Sequence, residues 1–224
     1  MAGLDLAPLW LTVKLAALTV VLLFVVGLPL AWWLARTSSR WRPLVEAVTA
    51  LPLVLPPVVL GFYLLLLLGA EGPLGQWWMA FTGRPLAFSF TGLVIASCLY
   101  SLPFVVQPLQ TAFSQLDRRT VEAAWTLGAS RFKTFFTVVL PQARSGVLTA
   151  AVLGFAHTLG EFGVALMVGG NIPGETQVVS IAIYEHVEAL AYDQANAYAL
   201  LLLGVSLLVL WLVYGIQRRD QGLR

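Results

Sequence analysis

Charge is scarce in this sequence. Asp, Glu, Lys and Arg make up 11% of its 224 residues, where an ordinary soluble domain carries about 25%. With 59% hydrophobic residues and a mean hydropathy of +0.84, the chain cannot supply the polar surface that a water-soluble fold of this length needs. Lipid must cover much of it. Cysteine is nearly absent: Cys98 has no second cysteine to pair with, so no intrachain disulfide can form, and it reads as a small packing residue in an apolar run. Two histidines and one cysteine leave no Cys/His cluster with zinc-like spacing. Internal repeats, low-complexity tracts and linkers rich in Gly, Ser or Pro are also lacking, so residues 1–224 read as a single domain.

What is abundant is apolar sequence in long runs, nearly free of charge, with His157 and Glu161 the exceptions in the fourth. A transmembrane helix needs about 20 mainly apolar residues. Runs of that kind predict five spans, near residues 11–35, 47–69, 90–110, 145–168 and 195–217. The first is longer than a signal-peptide core, and its basic flank, Arg36, follows it, so it reads as a retained span. An N-terminus outside the membrane places Arg36, Arg40 and Arg42 inside. The same orientation puts Arg118, Arg119, Arg131, Lys133 and Arg144 inside, along with the tail carrying Arg218, Arg219 and Arg224. Only Lys14 and Arg84 fall elsewhere, a strong positive-inside pattern. The expected topology is therefore N-terminus out and C-terminus in the cytoplasm.

Two segments are too polar to span. Gln177 to Leu190 has apolar Val179, Ile183, Val187 and Leu190 at helical spacing beside Glu185, His186 and Glu188. It should lie along the outer surface or dock on the bundle; a sixth span here would put the arginine-bearing tail outside. Residues 116–144 form the longest polar stretch on the inner side and should be largely helical. Thr120 is placed to cap a helix starting near Val121, and Gly128 to stop it.

That inner loop reads EAAWTLGASRFKTFFTVVLPQA from Glu122 to Ala143. Ala123, Ala124 and Gly128 have almost no side chain, so a short helix bearing them can press into a groove. Glu122 suits the positive end of a helix dipole, Arg131 and Lys133 follow, and Pro141 should break the chain before the next span. The segment suits either a docking element for a cytoplasmic partner or an ordinary amphipathic loop helix. Gly128 to Thr134, GASRFKT, mimics the start of a phosphate-binding loop, but Phe132 stands where GxxxxGK[ST] needs a glycine. The same Phe132 spoils a GxSxG elbow.

The segment resembles the EAA loop of ABC importer permeases: Glu-Ala-Ala, three residues, Gly, nine residues, an aliphatic residue, one more, then Leu-Pro. Glu122, Ala123, Ala124, Gly128, Val138, Leu140 and Pro141 occupy those places, with Val138 where Ile is commoner. The resemblance implies an all-α integral membrane permease fold with cytoplasmic coupling helices, working as a homodimer. It implies two copies of a cytoplasmic ABC ATPase that hydrolyse ATP-Mg and no cofactor or metal on this chain. Glu122, Ala123, Ala124, Gly128 and Pro141 become ATPase-coupling positions. Leu51 to Gly69, Leu99 to Phe113 and Gly160 to Gln177 are similar to the permeases of molybdate importers. Sulfate importer permeases are similar in the third span and around Gly160 to Gly163, but lack the Pro56-Pro57 pair followed by Gly61-Phe62-Tyr63. The implied substrate is molybdate, with tungstate beside it and sulfate as the alternative. An extracytoplasmic molybdate-binding protein, an inner-membrane location, contact with the lipid bilayer and no nucleic-acid partner complete the expectation.

Physics constrains the path independently. A single charge at the bilayer centre costs roughly 2.5–3.5 kcal/mol on insertion scales, so a dianion needs a protein-lined, hydrated route. Two copies about a twofold axis can enclose one. Pro56 and Pro57 interrupt the second span and free backbone groups to face a cavity, or simply kink it, while Gly61 lets helices approach. His157 and Glu161 are four residues apart and should share a helix face. A carboxylate repels an oxyanion, so Glu161 suits a gate or structural contact better than a substrate ligand. The outer loop carries Glu175, Glu185, Glu188 and Asp193 without Lys or Arg. Such a face does not concentrate a free anion, which fits delivery by a binding protein. Two other classes compete: a stand-alone secondary transporter or channel would need no ATPase, and an intramembrane enzyme would need more polar groups at the depth of His157 and Glu161.

Overall fold

The computed structural model describes residues 5–221; Arg224 and the side chains of Arg218 and Arg219, part of the basic tail, lie outside the described residues. Its elements are all helical. α1 spans Ala7–Arg36, α2 Arg42–Val54, α3 Pro57–Leu68, α4 Pro73–Thr82 and α5 Phe90–Ser114. On the loop of residues 116–144, expected on the inner side, lie α6, Arg118–Thr126, α7, Arg131–Thr134, a π-helical turn at Phe135–Val139, and α8, Leu140–Gln142. α9 spans Arg144–Leu159, α10 Gly163–Gly169, α11 Val179–Glu188 and α12 Tyr192–Gln221.

Among the described residues, α1, α5 and α12 are each long and apolar enough to cross a membrane. The count reaches five if each of two bent pairs is one span. The expected second span is α2 and α3, bent by 114°, because Pro56 and Pro57 stop α2 at Leu55 and restart the chain as α3. A proline lacks the N–H that a continuing helix needs and pushes the residue before it out of the helical region. The second bent pair is Arg131–Gln142 with α9, at 79°. It does not coincide with the expected fourth span, 145–168, which is itself broken where α9 ends at Leu159 and residues 160–162 are irregular before α10.

α5 is the axis of the fold. Ser89 starts it, its Oγ accepting from the Gly92 N–H at 3.1 Å, which satisfies one of the orphan donors of a helix start. α1, α2, α3, α9 and α10 all pack on it. Toward the α6 end, Leu34, Val105, Leu109, Phe113, Val121 and Val139 form one buried cluster that ties α6 and the π turn to the spans. Toward the α11 end, Leu15, Leu93, Ala165 and Ile181 form another. α12 is peripheral: 11% of its apolar window is buried, against 56% for α5, so lipid or another chain must cover it.

α11 is 10 residues long, too short for a sixth span. Thr12 Oγ1 pins its start, accepting from the Val179 N–H at 2.8 Å. The buried face is Val179, Ile181 and Ala182, with His186 stacked on Tyr198. Val187 and Leu190 are exposed, contrary to the expected apolar stripe. Leu190 has already left the helix at φ +57°, so the periodicity does not extend to it. α4 was not expected; it is a short exposed helix that starts at Pro73 and is stopped by Gly83 at φ +68°.

Candidate functional site

The inner loop is a helix, a glycine turn and a second helix. Asp117 caps α6, its Oδ1 accepting from the Arg119 N–H at 2.9 Å. The expected cap, Thr120, lies inside the helix, since the chain turns helical three residues earlier than the apolar pattern suggested. Glu122 therefore sits in the second turn, where the dipole has largely faded. Gly128 ends the helix as expected: its φ is +83°. Its N–H donates to Trp125 O at 2.9 Å and the Ala129 N–H to Ala124 O at 3.0 Å. This is the paired closure of a Schellman cap. Nothing lies within 4 Å of the Cβ that another residue would add there, so glycine serves the backbone angle and leaves the surface flat.

Val121 anchors α6 in the core, and the rest of the segment faces outward. Glu122 and Ala123 are exposed, and Leu127 and Phe132 keep 88% and 75% of their surface. Exposed leucine and phenylalanine beside small residues make a surface suited to a partner. Ser130 caps α7, its Oγ accepting from the Lys133 N–H at 3.2 Å, while buried Thr134 donates to Ser130 O at 2.9 Å. Gly128, Ala129, Lys133 and Thr134 thus direct their N–H groups within the chain, and exposed Phe132 stands where a phosphate loop has glycine. Pro141 does not end the helix where expected. The π turn hands the Leu140 N–H to Phe135 O, and this wider turn carries the chain into α8, where proline's ring would otherwise meet the carbonyl four residues back. The bend of 79° comes after it, at Ala143.

The membrane-embedded candidates converge. The breaks in the two interrupted spans meet: a Cβ on Gly163 would lie 2.9 Å from Pro57 Cβ, and one on Gly61 2.8 Å from Met167 Cβ. Gly61 and Gly163 thus allow α3 and α10 to touch. Glu161 sits in the irregular link, 3% exposed, with neither carboxyl oxygen hydrogen-bonded among the described residues. His157 does not reach it. Its Nδ1 is 2.9 Å from Ser101 Oγ, and its ring stacks on Phe104 at 3.8 Å. The four-residue spacing fails as a shared-face argument because the helix stops at Leu159, between them.

Pro57, Gly61, His157 and Glu161 do not line the cleft of about 720 Å³ that lies between α2, α5, α8 and α9. Pro103 and Pro108 border it, and Gln107, Thr111, Gln115, Gln142, Ser145 and Thr149 supply its polar lining. A second opening of about 580 Å³ shares Gln107, Thr111 and Gln115 and adds Glu46, which accepts from Gln110 Nε2 at 2.7 Å and pairs with Arg42 at 2.9 Å. Sequence reasoning missed this lining. The signal was present: Gln107, Gln110, Thr111, Ser114 and Gln115 recur at steps of three and four residues at one end of a mainly apolar span, a polar stripe. Glu185, on α11, is not a bare charge; it accepts from Asn171 and Gln177 at 2.9 and 2.6 Å.

Residues 27–220 match the family of binding-protein-dependent transport system inner membrane components. The molybdenum transport system permease protein ModB of Azotobacter vinelandii is 57% identical over 219 residues, 98% of this chain and 97% of that protein. The sulfate transport system permease protein CysT of Synechocystis sp. is 34% identical over 87% of this chain and 68% of its own length. In fold, the chain is similar to a bacterial ABC transporter involved in the import of the acidic polysaccharide alginate. That match has a TM-score of 0.78, 17% identity, and covers 98% of this chain and 80% of the other.

Proposed function

The chain belongs to the binding-protein-dependent transport system inner membrane component family, and from that premise we propose that it is the permease subunit of an ATP-driven molybdate importer, with tungstate as a second substrate. Two copies of this single transmembrane domain enclose the path. Two copies of a separate ATPase dock on the inner loops, and an extracytoplasmic binding protein delivers the anion. The N-terminus lies outside and the C-terminus in the cytoplasm. The observation that carries the reading is the exposed α6 segment. It presents Glu122 and Ala123, with half-buried Ala124 beside them, on a surface flattened by Gly128, while Val121 fastens it to the core of the spans. A push on α6 is thereby delivered to α1 and α5, and the ATP site belongs to the partner.

The cleft supports the substrate path. Its lining mixes apolar side chains with amides and hydroxyls, groups that can donate to an oxyanion without the fixed cation that would trap it; conduction requires such weak binding. Pro56, Pro57 and Gly61, with Glu161 beside them, serve as the gate, where two broken spans can pivot, and His157 braces α9 on α5. Molybdate is preferred over sulfate because the relative transporting molybdenum matches at 57% and over nearly its whole length. In pull-down with the cognate ATPase, Glu122→Arg and Gly128→Trp should each lose association and ATP-dependent uptake. Retention of both by either variant would overturn the coupling assignment.

A further inference from the structure

The side of α1 facing away from the cleft carries an apolar groove of about 750 Å³ that continues into a smaller pocket of about 190 Å³. Val21, Val25 and Leu28 line one wall of the groove, and Phe132 and Phe136 the other. Trp32, Arg131 and Phe135 border both cavities. The groove runs along α1 from Val20 to Trp32, about 18 Å of helix. Half of a hydrocarbon core is about 15 Å, so the groove has the length of one acyl chain reaching from the α6 side of the membrane to its midplane.

The small pocket at its end is cationic. Arg36 enters it with Nε and Nη2 buried and without a hydrogen-bond partner among the described residues. Its guanidinium stacks 4.6 Å from the Trp32 ring and feels the charges of Arg118 and Glu122, but forms no ion pair with that carboxylate. Arg131 stands at the junction of the two cavities. Buried donors without acceptors point to an acceptor that is not part of the chain. A guanidinium matches phosphate oxygens in fork geometry.

We propose that the groove and pocket together bind one anionic phospholipid from the leaflet on the α6 side, its acyl chain along α1 and its phosphate on Arg36 and Arg131. The pocket is also lined by Val121 and Trp125, so the headgroup would sit directly beneath the coupling helix. The occupancy rests on the membrane location of the chain and not on its substrate.

The test is native mass spectrometry of the full-length permease titrated with phosphatidylglycerol or phosphatidylcholine of the same acyl chains. Wild type should retain phosphatidylglycerol on the order of ten-fold more strongly. The double variant R36Q/R131Q should bind the two lipids alike, and R36K/R131K should keep much of the preference, which separates loss of charge from loss of fold. Val25→Trp, which fills the groove, should weaken phosphatidylglycerol retention with both arginines in place. Equal binding of the two lipids by wild type would overturn the proposal, as would an undiminished preference in R36Q/R131Q. Displacement of the lipid preference by glycerol phosphate alone would assign the pocket to a soluble anion and overturn it equally. Molybdate uptake plays no part in the readout, so its failure and that of the transport reading are distinguishable.

Discussion

Both carboxyl oxygens of Glu161 lie buried at the junction of two broken helices, without a hydrogen-bond partner among the described residues. An ionised carboxylate with neither partner nor solvent is costly to bury, and the amide of the same shape avoids that cost. Glu161→Gln should therefore keep or raise the thermal stability of the purified permease. A clear fall in melting temperature would show that the charge itself is held by an interaction absent from this account. The sequence announced Glu161 as unusual, since a carboxylate in a span stands out. It could not show that His157 turns instead to Ser101, because that depends on where α9 stops.

At the level of elements, the chain's clearest signals were composition and punctuation. Five apolar runs fell on helices, two of them interrupted, Pro56-Pro57 on a break, and Gly128 on a left-handed turn. Start points were harder to read. Thr120 looked like the cap of α6 because it precedes Val121, yet Asp117 does that work, since capping depends on where backbone angles change and not on where apolar residues begin. Asp117→Ala should cost about 1 kcal/mol of α6 stability, and Thr120→Ala little. Hydrogen exchange over residues 118–126 would read this as roughly five-fold faster exchange in the first variant only. Equal effects would return the cap to Thr120. The cleft between α2, α5, α8 and α9 was illegible for a different reason. Its lining comes from four separate elements, and only the stripe on α5 has a period that one segment can display.

For the whole molecule, the charge pattern predicts an orientation and the apolar exposure predicts company. In a Cys98→Ser background, Ser38→Cys should react with an impermeant thiol reagent from the cytoplasmic side and Glu71→Cys only from the outside. Labelling of both from one side would break the five-span topology. The exposed flank of α2 and α3, with Val54 at 82% and Val58 at 57% exposure, suits burial against a second copy, which would close the cleft into a path. The central claim is that this path carries molybdate when a separate ATPase acts on α6. Uptake should be measured in proteoliposomes holding the permease, its ATPase and its binding protein, with molybdate and sulfate compared with and without ATP. The account predicts molybdate accumulation that requires ATP and exceeds sulfate. ATP-independent uptake, or a preference for sulfate, would contradict it.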